Sequence, residues 1–114
     1  MITRLNNAIG TPYDAVDYHC YSFIEDMIPE APRLSEVHEM TARSDMVRYI
    51  GLFSGCDVVD GCIVTMGDSH VGIYHSGYVY HNSKQDGVIA QPLRTIKMLY
   101  SQLAYYQVKP HHMS

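Results

Sequence analysis

Two strand-forming segments on either side of a Ser-Gly turn signal, residues 70–74 and 78–82, constrain the fold more than any other feature of the chain. Both are rich in valine, isoleucine and tyrosine, which favours an antiparallel hairpin. A loop of two or four residues would set Gly72 opposite His81 and turn His70 and His81 to the same face, whereas a three-residue loop would separate them. The two imidazoles are then diagonal neighbours, with backbones roughly 7–8 Å apart.

A second pattern lies upstream, where apolar residues recur at helical spacing: Cys20, Phe23, Ile24, Met27 and Ile28. This stripe predicts an amphipathic helix over residues 18–28, with Asp17 as its N-cap and Pro29 as its stop signal. The thiol would lie at the helix start, on the inward face. Because a helix N-terminus and a nearby imidazole both lower the pKa of a thiol, the pattern predicts a cysteine nucleophile served by a histidine of the sheet.

Length and charge narrow the class of protein. A chain of 114 residues, 46% of them hydrophobic, suffices for one domain with one core. A formal charge of -4 and a pI of 5.9 argue against a nucleic-acid partner. No apolar run reaches the roughly 18 residues that a membrane span requires, and residues 1–10 lack the apolar core of a signal peptide. The odd number of cysteines favours synthesis in a reducing compartment, the cytoplasm.

The remaining elements follow from periodicity and turn signals. Predicted helices cover residues 2–9, 18–28 and 34–50, with a helical connection at 93–101. Predicted strands lie near residues 61–66, 70–75, 78–82, 88–91 and 104–108. Helices first and strands afterwards predict an α+β domain with an antiparallel sheet. Cys56 and Cys62 are interpreted as structural, and a disulfide between them is disfavoured in a reducing compartment.

Five segments, taken together, resemble the NlpC/P60 family of cysteine peptidases. They are Ile-Gly-Thr-Pro-Tyr at 9–13, Cys20 with its apolar helix, Asp-Gly-Cys-Ile-Val at 60–64, Ser-His-Val-Gly-Ile-Tyr at 69–74, and Tyr-Val-Tyr-His at 78–81. The resemblance covers about residues 2–109. It implies a papain-like NlpC/P60 fold of the α+β class, with N-terminal helices packed on a five- to six-stranded antiparallel sheet. One catalytic domain would occupy residues 1–110, followed by a tail at 111–114.

The resemblance also implies roles for individual residues. Cys20 would be the nucleophile, His70 the general base, and His81 the residue that orients His70. Tyr13 would lie beside the thiol and help to hold the oxyanion, and Ser69 would line the substrate cleft. The implied reaction is hydrolysis of an amide bond in a peptidoglycan stem peptide, through a thioester and without cofactor or metal.

The residues that flank Cys20 depart from the family pattern, which usually has an aspartate before the cysteine and a small residue after it. Here they are His19 and Tyr21, so His19 becomes a candidate for holding the substrate. Three alternatives stay open: a thiol acyltransferase or deamidase, a non-catalytic phage tail or assembly module, and a zinc protein. A zinc site would use His70 and His81 with Asp68 or His75, but the hairpin parity turns His75 away from the other two.

The absence of an export signal and of a wall-binding module predicts a bacteriophage protein, either associated with the tail or released at lysis, or a delivered effector. Its partners would then be peptidoglycan peptides and phage tail proteins, with no nucleic acid and no membrane. The protein would be made in the cytoplasm and reach the cell wall on the virion or after release.

Overall fold

The computed structural model describes residues 1–16, 18–31, 53–67 and 70–109. Three helices occur within these residues: α1 (Ile2–Ala8), α2 (Cys20–Met27) and α3 (Leu93–Leu99). The strands are β1 (Phe53–Gly55), β2 (Ile63–Met66), β3 (His70–His75), β4 (Tyr78–Ser83), β5 (Gly87–Pro92) and β6 (Leu103–Val108). The predicted helix at 34–50 and the predicted tail at 111–114 lie outside the described residues. None of the described helices is long and apolar enough to cross a membrane.

The six strands form one antiparallel sheet in the order β1-β6-β2-β3-β4-β5. The predicted hairpin is confirmed: β3 and β4 are joined by a two-residue loop, and Gly72 pairs with His81. Both loop residues have positive φ, 48° at Ser76 and 88° at Gly77. Such a loop matches the right-handed twist of the strands, which explains why the Ser-Gly signal fixes the register.

Apolar side chains cover both faces of the sheet. On one face α2 packs against β3 and β4, and Phe23 and Ile24 are buried with Val71 and Ile73. On the other face Ile96 of α3 is buried in a smaller cluster with β2 and β4 side chains. Alternate residues of β3 and β4 therefore point into two different environments, and His70 and His81 belong to the side of the smaller cluster.

The predicted fold class is wrong. The described residues form mostly a six-stranded antiparallel sheet with three short helices, a small antiparallel-sheet domain rather than the papain-like NlpC/P60 arrangement of N-terminal helices packed on a sheet. The helices have only seven or eight residues, about two turns each. Helices of that length depend on contacts with the rest of the protein for their stability. The apolar stripe of α2 was therefore a correct signal for one helix, but it did not indicate a helical layer.

Gly72 provides the space in which the hairpin holds His81. A Cβ at this position would lie 2.7 Å from the Tyr80 carbonyl oxygen, 2.9 Å from Met66 Cε and 3.0 Å from His81 Cβ. We expect Gly72→Ala to lower the free energy of unfolding by about 1–3 kcal/mol, because a strand backbone cannot move away easily. Gly55→Ala is the matched control, since a Cβ there meets nothing within 4 Å. Urea unfolding of both variants checks the prediction, and equal effects would contradict it.

Candidate active site

The two predicted imidazoles contact each other on the β3–β4 hairpin. His70 Nε2 lies 2.8 Å from His81 Nδ1, and His81 Nε2 lies 2.6 Å from Gln91 Oε1. Because an amide oxygen only accepts hydrogen bonds, His81 donates from Nε2, and its neutral ring accepts at Nδ1 from His70 Nε2–H. This chain of hydrogen bonds leaves Nδ1 as the basic nitrogen of His70.

Both imidazoles are held in the neutral form at neutral pH. Burial lowers the pKa of His70 from 6.5 to about 4, and the neighbouring His81 and the positive charge of Lys84 act in the same direction. Burial also lowers the pKa of His81, although the hydrogen bond to Gln91 opposes this effect. A neutral His70 at pH 7 is the form that can accept a proton as a general base.

The lowered pKa of His70 predicts a loss of stability in acid. The unfolded imidazole takes up a proton near pH 6.5, whereas folded His70 resists protonation until about pH 4. Its contribution is therefore fully present above pH 6.5 and is lost as the pH falls towards 4, by up to about 3 kcal/mol. Urea unfolding from pH 7 to pH 4 should show a smaller loss for His70→Gln than for the wild type and for the control His75→Gln. An unchanged acid slope in His70→Gln would contradict the prediction.

Cys20 begins α2, as predicted, and is buried in the core on the α2 side of the sheet. The start of the helix is tied to β4 by Asn82, whose side-chain amide donates to the carbonyl oxygens of Tyr18 and His19 at 2.8 and 3.4 Å. Asn82 directly follows His81 in the chain. The start of α2 therefore lies at the end of the sheet that also carries the two imidazoles.

The nucleophile candidate and the base candidate approach this end of the sheet from different faces. Because side chains alternate along β3, His70 points to one face of the sheet and Val71 to the other. Val71 packs in the same core as Cys20. His70 is the first residue of β3, so the strand ends at this position. The Tyr100 ring stacks on His70 with 6.2 Å between ring centroids, and burial followed by the neighbouring Cys20 raises the pKa of Tyr100. Tyr100 thus stacks on His70 and also responds electrostatically to Cys20.

The other predicted site residues have different positions. His19 is buried, and its Nδ1 accepts from two backbone amides in the first turn of α2, at 3.2 and 3.4 Å. His19 is therefore the N-cap of α2, and the prediction of Asp17 as N-cap is wrong. Tyr13 is half-buried in the segment before α2, and Ser69 lies outside the described residues. The substrate-binding roles of Tyr13, His19 and Ser69 stay predictions.

A cleft of about 590 Å³ opens beside the imidazole pair. Its walls include His70, His81 and Gln91, together with Tyr100 and the β4–β5 turn at 84–86. A volume of this size accommodates a short peptide or a similar small ligand. The basic pair of imidazoles is thus next to a space in which a substrate can bind.

Sequence reasoning missed two neighbours of the imidazoles. Gln91 pairs with Val79, two residues from His81 on the same face, so extending the hairpin parity to β5 would have found it. Tyr100 follows the last residue of α3 and reaches His70 only through the tertiary fold. No local pattern in the sequence indicates that contact.

No protein-family model matches the chain, and a search of curated proteins finds no significant match. Membership of the NlpC/P60 family therefore stays a prediction based on the five segments. Within the described part of the chain, no group of three or more His, Cys, Asp or Glu side chains is arranged to hold a metal ion. His75, one candidate ligand of the zinc alternative, instead has its Nδ1 3.0 Å from Ser76 Oγ at the hairpin loop.

Proposed function

We propose that the protein is a cysteine hydrolase of amide bonds, in which Cys20 is the nucleophile, His70 the general base and His81 the residue that orients His70. The observation that carries the proposal is the hydrogen-bonded chain from Gln91 through His81 to His70. It holds a neutral imidazole in one tautomer, which a nucleophile–base pair requires. Cys20 lies at the start of α2, at the same end of the sheet as His70 but on the other face, so the proposed proton transfer runs past the end of β3.

The reaction would proceed in two acyl-transfer steps. His70 Nδ1 takes the proton of the Cys20 thiol while the sulfur attacks the carbonyl carbon of the substrate amide. The tetrahedral intermediate collapses when His70 returns that proton to the leaving amine, which breaks the carbon–nitrogen bond and leaves a thioester. Water, deprotonated by His70, then attacks the thioester, and the thiol leaves with the proton from His70.

The negative oxygen of the intermediate requires a hydrogen-bond donor at the start of α2. The amides of Tyr21 and Ser22 already donate to His19 Nδ1. We assign the oxyanion to the backbone amide of Cys20 because it begins the helix, with Tyr13 as a second donor by the family resemblance. His19 then contributes indirectly, because it fixes the turn that carries the nucleophile.

The resemblance to NlpC/P60 peptidases supports a peptidoglycan stem peptide as the substrate, cut near D-glutamate and diaminopimelate. A role on a phage tail or at lysis belongs to the same proposal. Digestion of purified peptidoglycan by the full chain tests it, with the release of new free amines as the readout. We expect release by the wild type and none by Cys20→Ala, and equal release by both would contradict the assignment.

Two alternatives are separated by the same reaction run in ¹⁸O-labelled water. A hydrolase incorporates one ¹⁸O atom into the new carboxylate of the product. An acyltransferase instead gives an unlabelled amide or ester when an acceptor amine or alcohol is supplied. A non-catalytic tail or assembly module gives no product under either condition.

A further inference from the structure

Two oppositely charged side chains line the cleft beside the imidazole pair. Lys84 and Asp86 lie in the turn between β4 and β5, and both belong to the cleft that includes His70 and His81. Neither has an ion-pair partner within the described part of the chain. Charges of opposite sign that do not neutralise each other are suited to a ligand that carries the complementary charges.

The turn that carries these charges is held by the Ser83 side chain and by a close contact with Thr11. Ser83 Oγ accepts from the amides of Gln85 and Asp86 at 3.2 and 3.1 Å. Gly87, with φ of 72°, then packs so closely against the Thr11 carbonyl that a Cβ would not fit. A turn fixed in this way loses little conformational entropy on binding, so its charged side chains start from a defined backbone position.

The two charges are not equivalent with respect to His70. The positive charge of Lys84 contributes to the low pKa of His70, whereas Asp86 is not among the groups that shift it. A ligand carboxylate would bind at Lys84, and a ligand ammonium would bind at Asp86.

We propose that Lys84 and Asp86 form a binding site for a free amino-acid group, which carries a carboxylate and an ammonium on one carbon. The inference rests on the proposed function, because it describes the substrate of the same cleft. Lys84 binds the carboxylate and Asp86 binds the ammonium. Together they select peptides whose free amino-acid end can reach the amide bond beside His70.

Binding to the full-length Cys20→Ala protein tests the proposal without turnover. Three probes are compared by isothermal titration: N-acetyl-L-alanyl-γ-D-glutamyl-meso-diaminopimelate, the same peptide acetylated on its free ω-amine, and the same peptide with its ω-carboxylate converted to an amide. We expect each modification to weaken binding about tenfold. Adding Lys84→Ala should remove the penalty of amidation only, and adding Asp86→Ala should remove the penalty of acetylation only.

Lys97→Ala, on the exposed surface of α3, is the control and should keep both penalties. Equal affinities for the three peptides, absence of binding by the unmodified peptide, or penalties that persist in the Lys84 and Asp86 variants would overturn the proposal. Wild-type cleavage that ignores the two modifications would leave the hydrolase assignment intact and remove this site. Charge-dependent binding without cleavage by the wild type would support this binding site and contradict the hydrolase assignment.

Discussion

Replacing Cys20 by alanine is expected to lower kcat for amide hydrolysis by about four orders of magnitude or more. Removing the nucleophile of an acyl-transfer enzyme leaves only the catalysis that arises from substrate binding and oxyanion stabilisation. Cys20→Ser should retain little activity, since His70 would have to deprotonate a hydroxyl group in place of a thiol. Steady-state hydrolysis of a synthetic stem peptide provides the measurement.

Cys56→Ala is the matched control for the loss of a thiol. Cys56 is half-buried and directly follows β1, where its amide donates to the Tyr105 carbonyl and its thiol lies beside that of Cys62. Its variant should hydrolyse the peptide at close to the wild-type rate. Activity that survives in Cys20→Ala but falls in Cys56→Ala would show that Cys20 is not the nucleophile.

Replacing His70 by alanine is expected to lower kcat by about three orders of magnitude, because general-base catalysis typically contributes 10²–10⁴-fold. The loss should be nearly the same at every pH above about 5, where burial and His81 keep the wild-type imidazole neutral. As the pH falls through the His70 pKa of about 4, the wild-type rate itself should decline, since a protonated imidazole cannot accept the thiol proton. The pH profile of kcat/KM checks both expectations.

His75→Ala controls for the loss of an imidazole from the same strand. The His75 ring faces Ser76 at the loop end of β3, five residues from His70. Its variant should keep the wild-type pH profile and rate. A comparable loss in the His70 and His75 variants would indicate damage to the hairpin rather than removal of a base.

Hairpin parity is the part of the site that sequence reasoning predicted best. A two-residue loop fixes which residues of β3 and β4 are opposite, so the contact between His70 and His81 and the need for Gly72 followed from counting residues. Such local geometry depends on the turn and the pleat alone. The contact of Gln91 with His81 depends on the register between β4 and β5, which the sequence pattern did not predict.

The fold class failed for a different physical reason. Apolar periodicity reports whether one segment can bury a face, and the stripe of α2 did so correctly. It does not report how much of the surface of a sheet the helices cover. The short strand β1 was missed as well, because three residues that end in glycine give no alternation to detect. Contacts between distant segments, such as the one between Tyr100 and His70, are decided by long-range packing.

The most direct measurement is the rate at which iodoacetamide alkylates Cys20 as a function of pH, followed by mass spectrometry in the wild type and in His70→Ala. A neutral His70 can take the thiol proton during the attack, so Cys20 should react below the pH at which an ordinary thiol ionises. The account predicts a wild-type profile with its midpoint below that of an ordinary thiol, about 8.5, and a shift to higher pH in His70→Ala. An ordinary midpoint that does not change when His70 is removed would contradict the nucleophile–base pair and favour a non-catalytic tail or assembly module.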